Sequence, residues 1–209
     1  MSTGDTAHRV FLVRHGLAAA PDDLRLPGAD LSLRPEGERQ ACSLAARLCM
    51  ERPATIYSSE ARRAWQTAEA IARVTGAPLA ILPELREIDF GAWSGRTYTE
   101  IVAANPGAAD YFADPEVLTP PAGEAAIDAA RRVLATLTTI GEGEGGVVVG
   151  HAGSLRLALA LALEMPLAAS WRLGLDCAHV SRLDWTEAGP IVRYLNDGCH
   201  LEAAGNRNA

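Results

Sequence analysis

What this chain lacks narrows the field first. No apolar run approaches the roughly 18 residues that a membrane-spanning helix needs. Met1 to Val10 has neither the basic start nor the apolar centre of a secretory signal, so the expectation is a cytoplasmic protein with no membrane partner. Positive charge is not in excess either. A formal net charge of −7 disfavours a chain-wide footprint for nucleic acid, so any anion chemistry has to come from a local pocket. Cysteine is sparse: Cys42, Cys49, Cys177 and Cys199 form no CxxC pair and lack the dense spacing of a disulfide scaffold. Cys42 and Cys49, seven apart, are expected on one helix as small core residues, with no metal or redox role.

What is present suits one compact α/β domain: 209 residues, 48% hydrophobic and 22% charged. Residues 9 to 13 are short, β-branched and closed by a glycine after "RH", which reads as a buried parallel strand whose functional end is its carboxyl end. From Pro35 to about Met50, Ala41, Leu44, Ala45 and Leu48 recur at helical spacing, with Glu36 and Glu38 early and Arg47 late. "ATIYSS" reads as a second strand, followed by a helix over "ARRAWQTAEAIARVTG" that stops at Gly76. After "LAILPELREIDFGAW", a short strand and then irregular chain, residues 95 to 121 carry only short helical runs and are read as an insertion or lid. Glu124 to Ile140 is helical, "GVVVGH" is a buried strand, and "SLRLALALALEM" is an amphipathic helix. "VSRLDW" and "IVRYLN" flank "TEAGP" as a strand pair, and the tail "EAAGNRNA" is expected to fray. The alternation predicts a three-layer α/β/α sandwich with a mostly parallel sheet, an antiparallel edge from the last hairpin, and a small helical lid at about 92–121 within a single domain 1–209.

In such sheets ligands bind beyond the carboxyl ends of the strands, and two buried strands here end in histidine, His15 and His151. Neither histidine is spaced with other ligating residues as a metal set. Arg14 beside His15, and Arg63 just inside the helix after "YSSEA", bring guanidinium forks suited to phosphate oxygens to the same rim. Arg62 next to Arg63 shows that arginine alone decides nothing. "GEGEGG", Gly141 to Gly146, formally fits GxGxxG, but it precedes a strand and opens no helix, so it is read as a turn.

Four segments taken together, "VRHG", "SSEARRAWQTA", "LREIDFGAWSGR" and "VVVGHAGSLR", with the late "LNDGCHL", resemble the histidine phosphatase superfamily, also called phosphoglycerate mutase-like, over about residues 9 to 201. The resemblance implies His15 as nucleophile, Arg14 and Arg63 as phosphate ligands, His151 as a second phosphate-binding histidine and Glu87 as acid and base. It implies no cofactor and no metal. Ser59 is a further candidate phosphate contact, although bonding to its own turn is the commoner use. Thr67, Gln66 and Arg156 are read as helix residues, structural in the case of Arg156. The resemblance implies a metal-independent phosphatase acting on small phosphate monoesters through a phosphohistidine. Phosphoglycerate mutase-type transfer and a non-catalytic phosphate-binding module are the alternatives. "LREIDFGAWSGRTYTEI" is nearer the phosphatase branch, α-ribazole phosphatases included, than the mutase branch. The chain departs from the pattern at Leu17 to Pro21, where polar residues are usual, at Glu60 and Ala61, and at Gly123 to Ala125. No residue sets the oligomeric state, homo-oligomer included.

Overall fold

A computed structural model describes residues 8–18, 25–28 and 30–203. Its first strand, β1 (His8–Arg14), runs inside the sheet with Val10, Phe11, Leu12 and Val13 all buried, as a strand covered on both faces requires. In chain order follow α1 (Pro35–Cys49), β2 (Ile56–Ser58), α2 (Arg62–Thr75), β3 (Leu79–Ile81), α3 (Tyr98–Ala104), α4 (Ala108–Ala113), α5 (Ala126–Glu142), β4 (Gly146–Gly150), α6 (Ala152–Ala162), β5 (Val180–Thr186), β6 (Gly189–Asp197) and α7 (Cys199–Ala203). Short 3-10 turns lie between β3 and α3 and between α6 and β5.

The strands form one sheet in the order β3-β2-β4-β1-β5-β6. The first four are mutually parallel, whereas β5 runs antiparallel to β1 and pairs with β6 as a hairpin. The "TEAGP" turn is closed by Glu187 and Ala188, with the Thr186 hydroxyl donating to the Gly189 carbonyl at 2.8 Å. Alternate residues of β1 serve two cores. Val10 and Leu12 pack with Val133 and Leu137 of α5 and Leu155 of α6, while Phe11 and Val13 pack with Leu44 and Leu48 of α1 and Ile71 of α2. The result is the three-layer α/β/α arrangement with a mostly parallel sheet. Truncating a fully buried leucine such as Leu44 costs about 2–5 kcal/mol in cores of this kind.

A third cluster joins Phe90, Trp93, Ile101 and Tyr111 to Leu157 of α6, so the short helices α3 and α4 rest on a packed aromatic base. Several details differ from expectation. Cys42 is exposed and Cys49 half-exposed, although both lie on α1: the core stripe is Ala41, Leu44, Ala45 and Leu48, and each cysteine sits one residue, about 100°, off it. Glu124 precedes α5 instead of opening it. Helix α6 is buried around most of its circumference, not on one face, because α5, the sheet and the 88–113 region enclose it. The glycine-rich decoy is a turn: Gly141 and Glu142 end α5, and Gly145 and Gly146 lead into β4 with positive φ. Of the Leu17–Pro21 segment, Ala19 to Pro21 fall outside the described residues. Among the described residues, no helix is long and apolar enough to cross a membrane.

Candidate active site

Sheet register brings the candidate residues together. Arg14 lies opposite Gly150 in the β1/β4 pairing, so the next residue on each strand, His15 and His151, leaves the sheet at the same level. Their rings stand 5.2 Å apart, centroid to centroid, at 61°. Strand β2 flanks β4 on its other side, with Ser58 opposite Val149, which sets Ser59 behind His151. The carbonyls of Arg14 and His15 both accept from the amide of Ala178, a non-glycine held at φ 57, a conformation that costs an L-residue about 1–2 kcal/mol.

Hydrogen bonds assign the state of both imidazoles. His15 Nδ1 lies 2.7 Å from the Gly16 carbonyl, which only accepts, so Nδ1 carries the proton. His15 Nε2 keeps its lone pair and accepts from Arg63 Nε at 3.1 Å. His151 Nδ1 accepts from Arg63 NH2 at 3.1 Å, so its Nε2 donates to Ser59 Oγ at 2.8 Å. Both rings are neutral. Burial is the largest cause holding the His15 pKa well below its usual value, followed by His151 and Arg63; for His151, burial leads and Arg63 follows. Burial also lowers the Arg63 pKa, opposed by Glu87 and Asp30. An unprotonated Nε2 flanked by guanidinium groups can attack an electrophilic phosphorus while fixed charge holds its oxygens.

Two residues with no assigned role in the sequence hold this geometry. Thr67 Oγ1 accepts from the Gly16 amide at 3.0 Å and donates to the Arg63 carbonyl at 2.8 Å. Gln40 Oε1, from α1, accepts from the Leu17 amide at 2.9 Å, on the peptide whose carbonyl receives the His15 proton. That peptide also passes very close to α1: a Cβ on Gly37 would lie 2.8 Å from the Leu17 nitrogen. Thr67 had a signal, its place in "RRAWQTA"; Gln40 had none, since α1 contains no motif.

Glu87 is not paired with Arg86, which instead reaches Glu124 at 3.3 Å. Its carboxylate crosses to the N-terminus of α6, accepting from the amides of Ser154 (2.7 Å) and Gly153 (3.1 Å) as well as that of Ile88 (3.0 Å). Those helix-start amides are therefore occupied, and at α2 the Arg62 amide is likewise taken, by Asp30 Oδ1. The segment before Glu87 is clamped from α5, where Arg132 grips Glu124 with two bonds and also donates to the carbonyls of Glu84 and Arg86. 

Arg14, His15, Arg63 and Glu87 share the wall of one cavity of about 590 Å³. His151 and Ser59, both fully buried, stand behind that wall and touch it through Arg63 and His15. Leu17, Leu26, Phe90, Phe112 and Trp171 make much of the remaining wall apolar, and Arg156 projects into it from α6. Among the described residues no group of three or more His, Cys, Asp or Glu is placed to hold a metal ion.

An unprotonated imidazole nitrogen held by an arginine, beside a second arginine at the carboxyl edge of a parallel sheet, suits phosphoryl chemistry. The chain belongs to the histidine phosphatase superfamily (branch 1), whose sequence profile matches residues 10–198. It is 31% identical over 202 residues to a bifunctional protein of Mycobacterium tuberculosis; the match covers 94% of this chain but only 56%, about half, of that longer protein. A glucosyl-3-phosphoglycerate phosphatase of Mycolicibacterium vanbaalenii is 32% identical over 170 residues, 76% of each chain. Among solved structures, a candidate α-ribazole-5′-phosphate phosphatase of Escherichia coli superposes with a TM-score of 0.81 at 30% identity, covering 92% of this chain and 97% of that one.

Proposed function

We propose that the protein is a metal-independent phosphatase that hydrolyses small phosphate monoesters through a phosphohistidine on His15. The observation that carries this reading is the tautomer of His15: Nδ1–H is committed to the Gly16 carbonyl, and the unprotonated Nε2 stands at the cavity wall accepting from Arg63 Nε. The phosphatase names of the similar proteins support it.

In the first step Nε2 attacks phosphorus, the N–P bond forms, and the P–O bond to the alcohol breaks. Glu87, at the cavity wall, enters this step protonated, by solvent in the first turnover and by the second step thereafter, and gives the departing alkoxide that proton. In the second step the Glu87 carboxylate takes a proton from water, the oxygen of that water attacks phosphorus, and the N–P bond breaks to release inorganic phosphate. Arg14 and Arg63 hold the equatorial oxygens throughout. As a phosphate dianion enters, Arg63 turns to its oxygens and gives up both imidazoles: the Nε2 lone pair of His15 is released for attack, and His151 Nδ1, now beside negative charge, takes up a proton and donates to a further oxygen. Ser59 keeps the other nitrogen of His151 in place. Segment 92–121, which contributes Gly95 and Phe112 to the wall, serves as the lid.

The test is turnover of 4-nitrophenyl phosphate with a chelator present. Chelation leaves the rate unchanged, His15→Ala abolishes turnover, and Glu87→Gln lowers it by about 10²-fold through loss of the base in the second step, since this leaving group needs little help in the first. An unchanged rate in His15→Ala, or a rate that collapses on chelation, would sink the assignment.

A further inference from the structure

Arg156 is left over by that reaction, and its surroundings are unusual for an arginine. It lies on the face of α6 that also carries Ala152 and Gly153, and all three line the cavity. Its side chain is half-buried, and its Nε is fully enclosed without a hydrogen-bond partner. Among the described residues Arg156 makes no ion pair or hydrogen bond. Elsewhere in the site each arginine has at least one partner: Arg132 has a bidentate carboxylate, Arg63 has two imidazoles, and Arg14, whose Nε is likewise buried and unpartnered, has the Leu175 carbonyl at 2.9 Å. Burial and the neighbouring Arg14 both act against the Arg156 charge, with Glu87 and Asp176 only partly offsetting them. A guanidinium drawn out of water toward a like charge, with no partner, is costly unless an anion completes it.

The cavity is also larger than its reaction needs. About 590 Å³ falls in the range of pockets that enclose organic ligands, so it accommodates the body of an ester beyond the phosphoryl group. With Arg14 and Arg63 already assigned to that group, a third guanidinium farther along α6 meets a different part of the substrate.

We propose that Arg156 is a second anion-binding side chain, and that the preferred substrates are phosphate monoesters whose organic part carries a further anionic group, a carboxylate or a second phosphate. Guanidinium forks bind either group in planar fashion. The proposal rests on the phosphatase reading above.

The experiment compares kcat/KM on matched pairs: glycerol 3-phosphate with 3-phosphoglycerate, and propyl phosphate with propane-1,3-diyl bisphosphate. The wild-type protein favours the more anionic member of at least one pair by about tenfold or more, as one charge-assisted hydrogen bond allows. The pair that shows the preference identifies the group as carboxylate or phosphate. Arg156→Met brings the ratio close to one, and Arg156→Lys recovers part of it. A wild-type ratio near one in both pairs overturns the proposal without requiring any variant to fold, and so does a ratio that Arg156→Met leaves intact. Failure of the underlying phosphatase reading is distinguishable, because it leaves turnover absent on all four esters or present after His15→Ala.

Discussion

Replacing Gly153 by alanine should separate catalysis from stability. Gly153 sits in the first turn of α6, and a Cβ there would stand 2.8 Å from Glu87 Oε1 and 3.0 Å from Ile88 Cδ1. The nearer atom is the tip of a flexible side chain, so it yields by rotating away, giving up its bonds to the Gly153 and Ser154 amides. Each of the two is worth about 1.5–3 kcal/mol as a bond to a charged group, and about half of that once water takes over the released groups. Alanine returns about 0.5–1 kcal/mol through lower backbone entropy in the unfolded chain, and water can serve the released groups at this partly exposed site. The net change is about 1–2 kcal/mol, which for a chain of this size moves Tm by less than about 8 °C. Catalysis suffers more, because a displacement of about 1 Å in a reacting group costs about 10²-fold. With glycerol 3-phosphate, whose alkoxide leaves only with a proton, kcat/KM should fall about 100-fold. With 4-nitrophenyl phosphate, whose leaving group needs little help, the fall should be several times smaller. The kcat/KM of both esters, which reports the first step and not the shared second one, decides it beside a thermal melt: a wild-type value on the alkyl ester, or equal losses on both esters, refutes the placement of Glu87 as the proton donor.

Gln40→Met removes the acceptor for the Leu17 amide, and Gln40→Glu keeps one. The methionine variant should lose about tenfold in kcat, as expected for one buried hydrogen bond, and shift the ¹⁵N signals of His15 away from the Nδ1–H tautomer, while the glutamate variant stays near wild type; a tautomer unaltered in both would show that Gln40 does not position His15. Stability should also fall on the acid side. The pKa values of His15 and His151 are held well below 6.5 and that of His200 is pushed down to about 4, so the unfolded chain binds more protons than the folded one as pH drops below about 6.5. Their contribution is complete above that pH and lost toward each folded-state pKa, at up to about 1.4 kcal/mol per pH unit for each group. Melts between pH 7.5 and 5 should show Tm falling with acidity and inorganic phosphate reducing the slope; a Tm that rises on acidification contradicts the neutral assignment of these rings.

The legible parts of the fold were those with a single physical cause. A run such as Val10 to Val13, apolar on both faces, has no stable place except inside a covered sheet, and the stripe Ala41, Leu44, Ala45, Leu48 fixes which side of α1 faces inward. The same stripe argues against Cys42 and Cys49 as core residues, since seven-residue spacing says that two residues share a face without saying which face. The helical reading of Glu124 to Ile140 starts two residues early, because pairing with Arg132 and Arg86 holds Glu124 ahead of the helix. At the site, motif order identified residues that meet across the sheet. What it could not supply was the alignment that only strand register creates, or the contacts made by residues outside every motif. Glu87 on the α6 amides, Gln40 behind the Leu17 peptide and the unpartnered Arg156 all depend on elements far apart in sequence.

The most direct measurement is rapid quenching of the protein with a ³²P-labelled phosphate monoester, followed by mapping of the label. The account predicts one acid-labile, base-stable phosphoryl group per chain on His15, formed within the first turnover and absent from His15→Ala. Label on another residue, or full-rate turnover in a His15→Ala protein, would contradict it.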